Sequence, residues 1–313
     1  MRKLLMTLAC MPIALWSFES VDAKMECSSI EMQKESFDKD GYIWLKGFYS
    51  QEQVKLIRGW ADMIDQASQE LIELSKQSNF SLQFLAKHIS GALIVVPEAT
   101  NPSRACRAED FLSCYPDLSQ FVMGTVTAYI SQMQGEPYTI FKDKINFKWP
   151  LGGAFPPHQD FPAYEFLGPR QHITAMICID EATQENGCLY VASQWQEELI
   201  GEEGVDEQQL ANGHIVLPFI TGGKDHGSIK PELCKKMYWI PIEAKPGDVL
   251  LFNSFVPHFS HPNQSDKPRR AMFITHNRLI EGDFRQAYFF TKRSDPDNPI
   301  FHIATPTKAR TKE

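Results

Sequence analysis

His158 and Asp160 are separated by one residue, Gln159, and follow Pro156-Pro157. On an extended chain, residues i and i+2 project to the same face, so this imidazole and this carboxylate can converge on one ion. A lone His-x-Asp triplet is common in proteins. Here a second imidazole, His258, follows an apolar run at 248–252 and the turn residue Pro257. Two neutral imidazoles and one carboxylate on one side of a metal leave its other positions open, which is the ligand set of non-haem Fe(II) oxygenases. A zinc hydrolase is the alternative metal reading, although no helical His-Glu-x-x-His accompanies these residues. Arg269 comes next, with Ser260 and Asn263 between it and His258. A guanidinium on a strand returning to the interior offers a two-pronged grip on a carboxylate, and burying it without an anion would be costly. A metallohydrolase has no need of it.

Lys142, Lys144 and Lys148 alternate on one face of a potential strand, and Arg278 and Arg285 lie beyond the last strand. Two readings stay open for the lysines: a solvated strand face, or cations that meet an anionic substrate. Arg170, His172 and Arg270 are further residues able to reach a cavity mouth. His261 reads as a loop histidine, His276 as a packed one, His214 and His226 as solvent-facing, and Cys178 and Cys188 as buried strand thiols.

The elements that must position these groups begin with helices. Ser50 and Gln53 have capping-box spacing, and Val54, Ile57, Ala61, Ile64, Leu71 and Leu74 recur at helical intervals. A second helix is predicted from Pro116 or Asp117 to Met133, stopped by Gly135-Glu136-Pro137. The texture then changes to short β-type runs at 138–148, 173–179, 188–191, 237–242, 248–252 and 271–275, punctuated by Gly, Pro and Asn. Short strands behind two helices predict a mostly β fold: an antiparallel double-sheet jelly roll, or double-stranded β-helix, with an N-terminal helical buttress. The acidic, Gly-rich stretch around 194–231 interrupts that barrel as a lid-like insertion.

With 313 residues, 43% hydrophobic and 22% charged, the chain can bury one large core. Its net charge is 31 − 39 = −8 with no basic block, which argues against gripping nucleic acid or an anionic membrane. Seven cysteines without a Cys-x-x-Cys pair indicate neither a disulfide scaffold nor a zinc module. Arg2 and Lys3 precede an apolar run to Trp16, then Val21-Asp22-Ala23. Residues 1–24 therefore read as a signal peptide or as an overextended start before Met25, and the run is too short to span a bilayer. The remainder, 25–313, reads as a single domain. A cytoplasmic location is favoured, since the cysteines are not arranged for an oxidising space, with export as the alternative.

From Phe37 to Lys292 the chain resembles the phytanoyl-CoA dioxygenase family of Fe(II)/2-oxoglutarate oxygenases. The likeness rests on Asn146-Phe147-Lys148, Pro157-His158-Gln159-Asp160, Glu185-Asn186-Gly187-Cys188-Leu189, Pro246-Gly247-Asp248, His258-Phe259-Ser260 and Arg269-Arg270-Ala271. Within the family it is most similar to the bacterial 2-aminoethylphosphonate dioxygenase type, through 141–148, Val256-Pro257-His258 and Asn277-Arg278 onward to Lys292-Arg293. The resemblance implies that His158, Asp160 and His258 hold iron. It implies that Arg269 and Ser260 bind the distal carboxylate of 2-oxoglutarate, with Asn146, Thr174 and Met176 lining that pocket. It further implies consumption of O2, release of succinate and CO2, support by ascorbate, and hydroxylation of a small substrate, with Lys142, Lys144, Lys148 and Arg278 as candidate substrate contacts. The intact Asp160 favours hydroxylation, because halogenating relatives carry a small residue there. One departure bears on the substrate: Ala192-Ser193-Gln194-Trp195 replaces the usual Pro-Gly-Ser-His turn. Rival readings are a non-catalytic jelly-roll binding protein and a relative acting on an acyl-CoA or secondary metabolite.

Overall fold

The computed structural model describes residues 27–202, 205, 210–211, 213–223, 225–295 and 301. The segment read as a signal peptide or overextended start lies outside them. The chain opens with α1 (Cys27–Asp40), β1 (Tyr42–Leu45), α2 (Gln51–Gln77), α3 (Leu82–Ile89), β2 (Ile94–Pro97), β3 (Ala105–Glu109), α4 (Pro116–Val122) and α5 (Ala128–Gln134). The barrel strands and their insertion follow: β4 (Tyr138–Lys148), β5 (Phe155–His158), β6 (His172–Cys178), β7 (Leu189–Ser193), α6 (Trp195–Leu199), β8 (Leu210–Ala211), β9 (His214–Ile215) and α7 (Pro231–Cys234). The chain closes through β10 (Tyr238–Ile242), β11 (Val249–Asn253), β12 (His258–Ser260), β13 (Arg269–Arg278) and α8 (Arg285–Ser294).

Two antiparallel sheets make the body. The larger runs β1-β11-β6-β13-β4-β3-β2 and the smaller β10-β7-β12-β5. Alternation along the large sheet sorts its side chains. Ile145, Phe147, Ile173, Ala175, Ile177, Met272 and Ile274 pack outward against the helices, in one core with Val54, Ile57, Ile64, Val122 and Ile130. Met176, Cys178, Leu250, Phe252 and Phe273 face the other way and meet Leu189, Val191 and Ile242 of the small sheet. The lysine-bearing face of β4 belongs to this second, enclosed side.

The predicted jelly roll with helical buttress is the observed fold, and the six predicted strands fall within three residues of β4, β6, β7, β10, β11 and β13. The helix after Ser50 carries both reciprocal capping-box bonds, Gln53 N–H to Ser50 Oγ at 3.3 Å and Ser50 N–H to Gln53 Oε1 at 2.9 Å. Leu74 is a correction. It is 43% exposed, because the buried stripe passes through Ser68, Leu71 and Ile72 and Leu74 rotates off it. The predicted second helix is interrupted by a π turn at Met123–Thr127. The wider turn turns Thr125 and Thr127 into the core, where they meet Tyr49 at 3.0 Å and His276 Nε2 at 2.9 Å.

Within the insertion, Trp195, Leu199, Ile215, Leu217, Ile229 and Leu233 form an apolar cluster with Phe161 and Phe255. His214, expected to face solvent, is partly buried and stacks on Phe255 at 4.8 Å, since the insertion folds back onto the turn before β12.

Candidate active site

β5 and β12 are neighbours in the small sheet, and their register sets His258 opposite His158. The two rings lie 4.2 Å apart between centroids. Each Nδ1 meets the carbonyl oxygen two residues upstream, Pro156 at 2.7 Å and Val256 at 2.9 Å. A carbonyl only accepts, so each Nδ1 carries the proton and each Nε2 presents a lone pair. Asp160 lies just past β5, at the start of the short turn Phe161–Ala163. Its Oδ1 stands 3.8 Å from His158 Nε2. Ligand atoms of His158, Asp160 and His258 all lie within 4.8 Å of one another, and all three residues are buried.

Electrostatics match the donor set. Burial, then the neighbouring His258, drives the His158 imidazole down to about 3. Burial also lowers His258. Burial alone would raise Asp160, but His258, Lys144 and Lys142 hold its carboxyl well below the usual range. Two neutral imidazoles and one ionised carboxylate are the states that ligate a divalent cation. The 3.8 Å contact is thus two donors facing one point, not an ion pair.

Gln159, between the two donors, faces the opposite way. Its Nε2 donates to the carbonyls of Ile215 at 2.9 Å and Phe255 at 2.6 Å, and its Oε1 accepts from Leu217 N–H at 2.8 Å. The insertion therefore docks on the strand that carries His158 and Asp160.

Arg269 is 4% exposed. Its Nη2 donates to Gly187 O at 2.5 Å, while its Nε is buried without a partner. Gly187 is required there: at φ +76°, an added Cβ would lie 2.4 Å from His261 O. A buried guanidinium with an unused donor fits the carboxylate of a ligand. Ser260 lies on β12 two residues from His258, and Asn146 Oδ1, on the enclosed face, is also buried without a partner. Thr174 and Met176 are buried on that same face, with Thr174 Oγ1 2.9 Å from Thr275 Oγ1.

The four candidate substrate cations separate. Lys142 and Lys144 line a cavity of about 30 Å³ together with His158 and Asp160. Burial, then Lys144, lowers the Lys142 ammonium to about 7. Lys148 sits elsewhere, donating to Ser260 Oγ at 2.7 Å and to His261 O. Burial, then the charge of Arg269, lowers it to about 6. Its place is beside the carboxylate grip. Arg278 is a correction: it pairs with Glu136 at 2.8 Å, at the end of β13 opposite Arg269. Nine residues of extended chain, about 30 Å, separate the two arginines. Arg285 pairs with Asp110 at 2.6 Å and with Asp143, and Arg270 with Asp180 at 2.8 Å and Asp62 at 2.5 Å.

Sequence reasoning missed Arg107, Glu109, Tyr288 and Lys292, which line the same cavity. Glu109 meets Arg107 Nε at 2.7 Å and Lys292 Nζ at 2.6 Å. Burial works against its charge, but Lys292 and Arg107 hold the carboxyl at about 2. The alternation of Arg107 and Glu109 along β3 was one available signal, which also describes a surface strand, and the place of Lys292 within the motifs of the family likeness was another.

The fold and this cluster define the class: a double-stranded β-helix, non-haem Fe(II)/2-oxoglutarate-dependent dioxygenase acting on a small molecule. The family model for phytanoyl-CoA dioxygenase (PhyH) matches residues 37–271, and the chain belongs to that family. It is 35% identical over 262 residues to 2-aminoethylphosphonate dioxygenase of the uncultured bacterium HF130_AEPn_1, covering 83% of this chain and 86% of that one. It is 31% identical over 270 residues to methylphosphonate hydroxylase of Gimesia maris, covering 86% and 88%. EctD from S. alaskensis, crystallised with 2-oxoglutarate and 5-hydroxyectoine, shares the fold with a TM-score of 0.57 at 17% identity, covering 85% of this chain and 79% of that one. Among the described residues no helix is long and apolar enough to cross a membrane.

Proposed function

We propose that this dioxygenase hydroxylates a C–H bond of a small phosphonate, in the first place an aminoalkylphosphonate, with His158, Asp160 and His258 holding Fe(II). The observation that carries the substrate reading is the pair of ammonium groups, Lys142 and Lys144, lining one cavity with His158 and Asp160. The two relatives named for phosphonate chemistry support it.

The iron, when bound, supplies the site at which O2 is activated at the expense of 2-oxoglutarate. The protein's residues fix geometry. Pro156 and Val256 hold the two imidazoles in the tautomer that ligates. Arg269, with Ser260 and Lys148 beside it, takes the distal carboxylate of 2-oxoglutarate and so orients its keto acid towards the triad. Phe155 lines the substrate cavity and also a smaller one that contains Asn146 and Lys148, separating the two ends. The reaction balances without an outside reductant: one oxygen atom of O2 becomes the substrate hydroxyl, the other enters succinate, and CO2 leaves.

The test is succinate release by protein starting at Met25, supplied with Fe(II), 2-oxoglutarate, ascorbate and O2. Release that rises with 2-aminoethylphosphonate or its N-methylated analogues, and vanishes in Asp160→Ala, is the expected result. Slow release that no phosphonate stimulates overturns the substrate reading; stimulation by an acyl-CoA thioester or an amino acid would replace it. No release with iron bound would favour a non-catalytic jelly roll. We further place the protein in the cytoplasm, where Fe(II) and 2-oxoglutarate are supplied; recovery of an exported form beginning at Lys24 would overturn that.

A further inference from the structure

We propose that Lys142 and Lys144 form a headgroup site that counts charge, accepting a tetrahedral dianion and rejecting a monoanion of the same shape. This rests on reading their cavity as the substrate cavity, and it adds the criterion by which that cavity selects.

The argument is a charge inventory. Four cations line the cavity: Arg107, Lys142, Lys144 and Lys292. Glu109 is already engaged by two of them, Arg107 at 2.7 Å and Lys292 at 2.6 Å. It is 2% exposed, so it offers no free oxygen to a ligand. Asp160, the other carboxylate on the cavity, faces the two imidazoles. The Arg107–Glu109–Lys292 cluster keeps one positive charge of its own, and Lys142 and Lys144 are then the two cations that no carboxylate engages. Neither makes a hydrogen bond or an ion pair among the described residues. The Lys142 ammonium stands over the rings of Tyr164 at 4.4 Å and Tyr288 at 5.5 Å, and that of Lys144 over Phe273 at 5.0 Å. Ring faces attract cations but accept no strong hydrogen bonds, and Lys142 is only 7% exposed. A buried ammonium in that state is incomplete without an anion.

Spacing supplies the second half. Lys142 and Lys144 are i and i+2 on β4, opposite Thr275 and Phe273 of β13 in the enclosed register. Their Cβ atoms therefore lie about 7 Å apart on one face. One tetrahedral headgroup between them can present a separate oxygen to each. A phosphonate dianion neutralises both ammonium groups. A sulfonate has the same shape and one charge, and a carboxylate one charge and a planar head, so each leaves one of the two ammonium groups uncompensated.

The experiment is anaerobic calorimetry on the full chain loaded with Fe(II) and 2-oxoglutarate. It runs at about pH 7, where a phosphonate carries most of its second charge and the Lys142 ammonium, lowered to about 7, keeps much of its proton. The titrants are 2-aminoethylphosphonate, 2-aminoethylsulfonate and 3-aminopropanoate. The phosphonate is expected to bind about 100-fold or more tighter than the other two. Lys142→Met and Lys144→Met should each shrink that gap by about tenfold while iron content and 2-oxoglutarate affinity hold. Phosphonate and sulfonate binding within about threefold of each other would overturn the proposal, using wild-type protein alone. So would variants that weaken both ligands equally, or the absence of any phosphonate binding. Full discrimination without phosphonate-stimulated succinate release leaves the headgroup site standing and sinks the substrate reading. Phosphonate-stimulated release without discrimination does the reverse.

Discussion

Gln159 accepts a hydrogen bond from the Leu217 backbone at 2.8 Å, and so ties the residue between two metal-site donors to the inserted segment. The same carboxamide donates to Ile215 and Phe255. Gln159→Leu would leave one buried N–H and two buried carbonyls without partners, costing about 2–4 kcal/mol of stability. Urea unfolding should report that loss. Iron titration should show affinity down by about tenfold or more, because β5 is no longer braced from behind.

Asp160→Ala removes the only carboxylate of the donor set. Metal analysis after gel filtration should give iron well below one per chain, and activity should fall by about 100-fold or more. Far-UV circular dichroism should be unchanged, since Asp160 lies in a turn outside both sheets. Full iron occupancy in this variant would remove Asp160 from the ligand set.

Arg269 and Lys148 are cross-strand partners away from the cavity that Lys142 and Lys144 line, and their variants should separate cosubstrate from substrate. Arg269→Met should raise the KM for 2-oxoglutarate by about 100-fold with little change in the KM for the substrate. Lys148→Met should raise the same KM more weakly, because Lys148 also holds Ser260 and the His261 carbonyl. A substrate KM that moves instead would return Lys148 to the company of Lys142 and Lys144.

Acid should destabilise the iron-free protein. Burial lowers His158 and His172 to about 3 and His276 to about 4, against an ordinary 6.5. The unfolded chain therefore takes up these protons first, and stability falls as pH drops from 6.5 towards 4. Asp143 has the opposite sign: burial raises it to about 6, so it adds stability between about 6 and 3.8. Three imidazoles outweigh one carboxyl, and going from about pH 7 to 5 should cost about 2–4 kcal/mol. Urea midpoints at the two pH values check this, and His276→Gln should flatten the dependence.

Removing the glycine beneath the carboxylate grip offers a last check. Gly187→Ala demands an L side chain at φ +76°, with Cβ 2.4 Å from the His261 carbonyl. It should lower stability by about 2 kcal/mol or more and raise the KM for 2-oxoglutarate, since that backbone carries the oxygen that holds Arg269.

The strand-edge His-x-Asp, His258 and Arg269 were legible in the chain because each depends on local rules. The one-residue spacing keeps Asp160 beside His158, although the structure brings it there from the helical turn after β5 and not by strand alternation, and an arginine at the start of a strand points inward or outward with its register. The helix after Ser50 was equally legible from its cap and stripe. β1, β2, β3, β5 and β12 were not predicted, being three to five residues long and without a periodic pattern of their own.

The sequence by itself determined that Lys142, Lys144 and Lys148 share a face, since alternation is a property of the backbone. Only the tertiary structure decided that this face is enclosed, because a second sheet covers it. Only the pairing of β4 with β13 decided that Lys148 lies beside Arg269 while Lys142 and Lys144 lie with the metal donors. Glu109 and Lys292 meet through β3 and α8, far apart in the chain. Contacts between distant segments follow from how sheets stack and close, and no local periodicity encodes them.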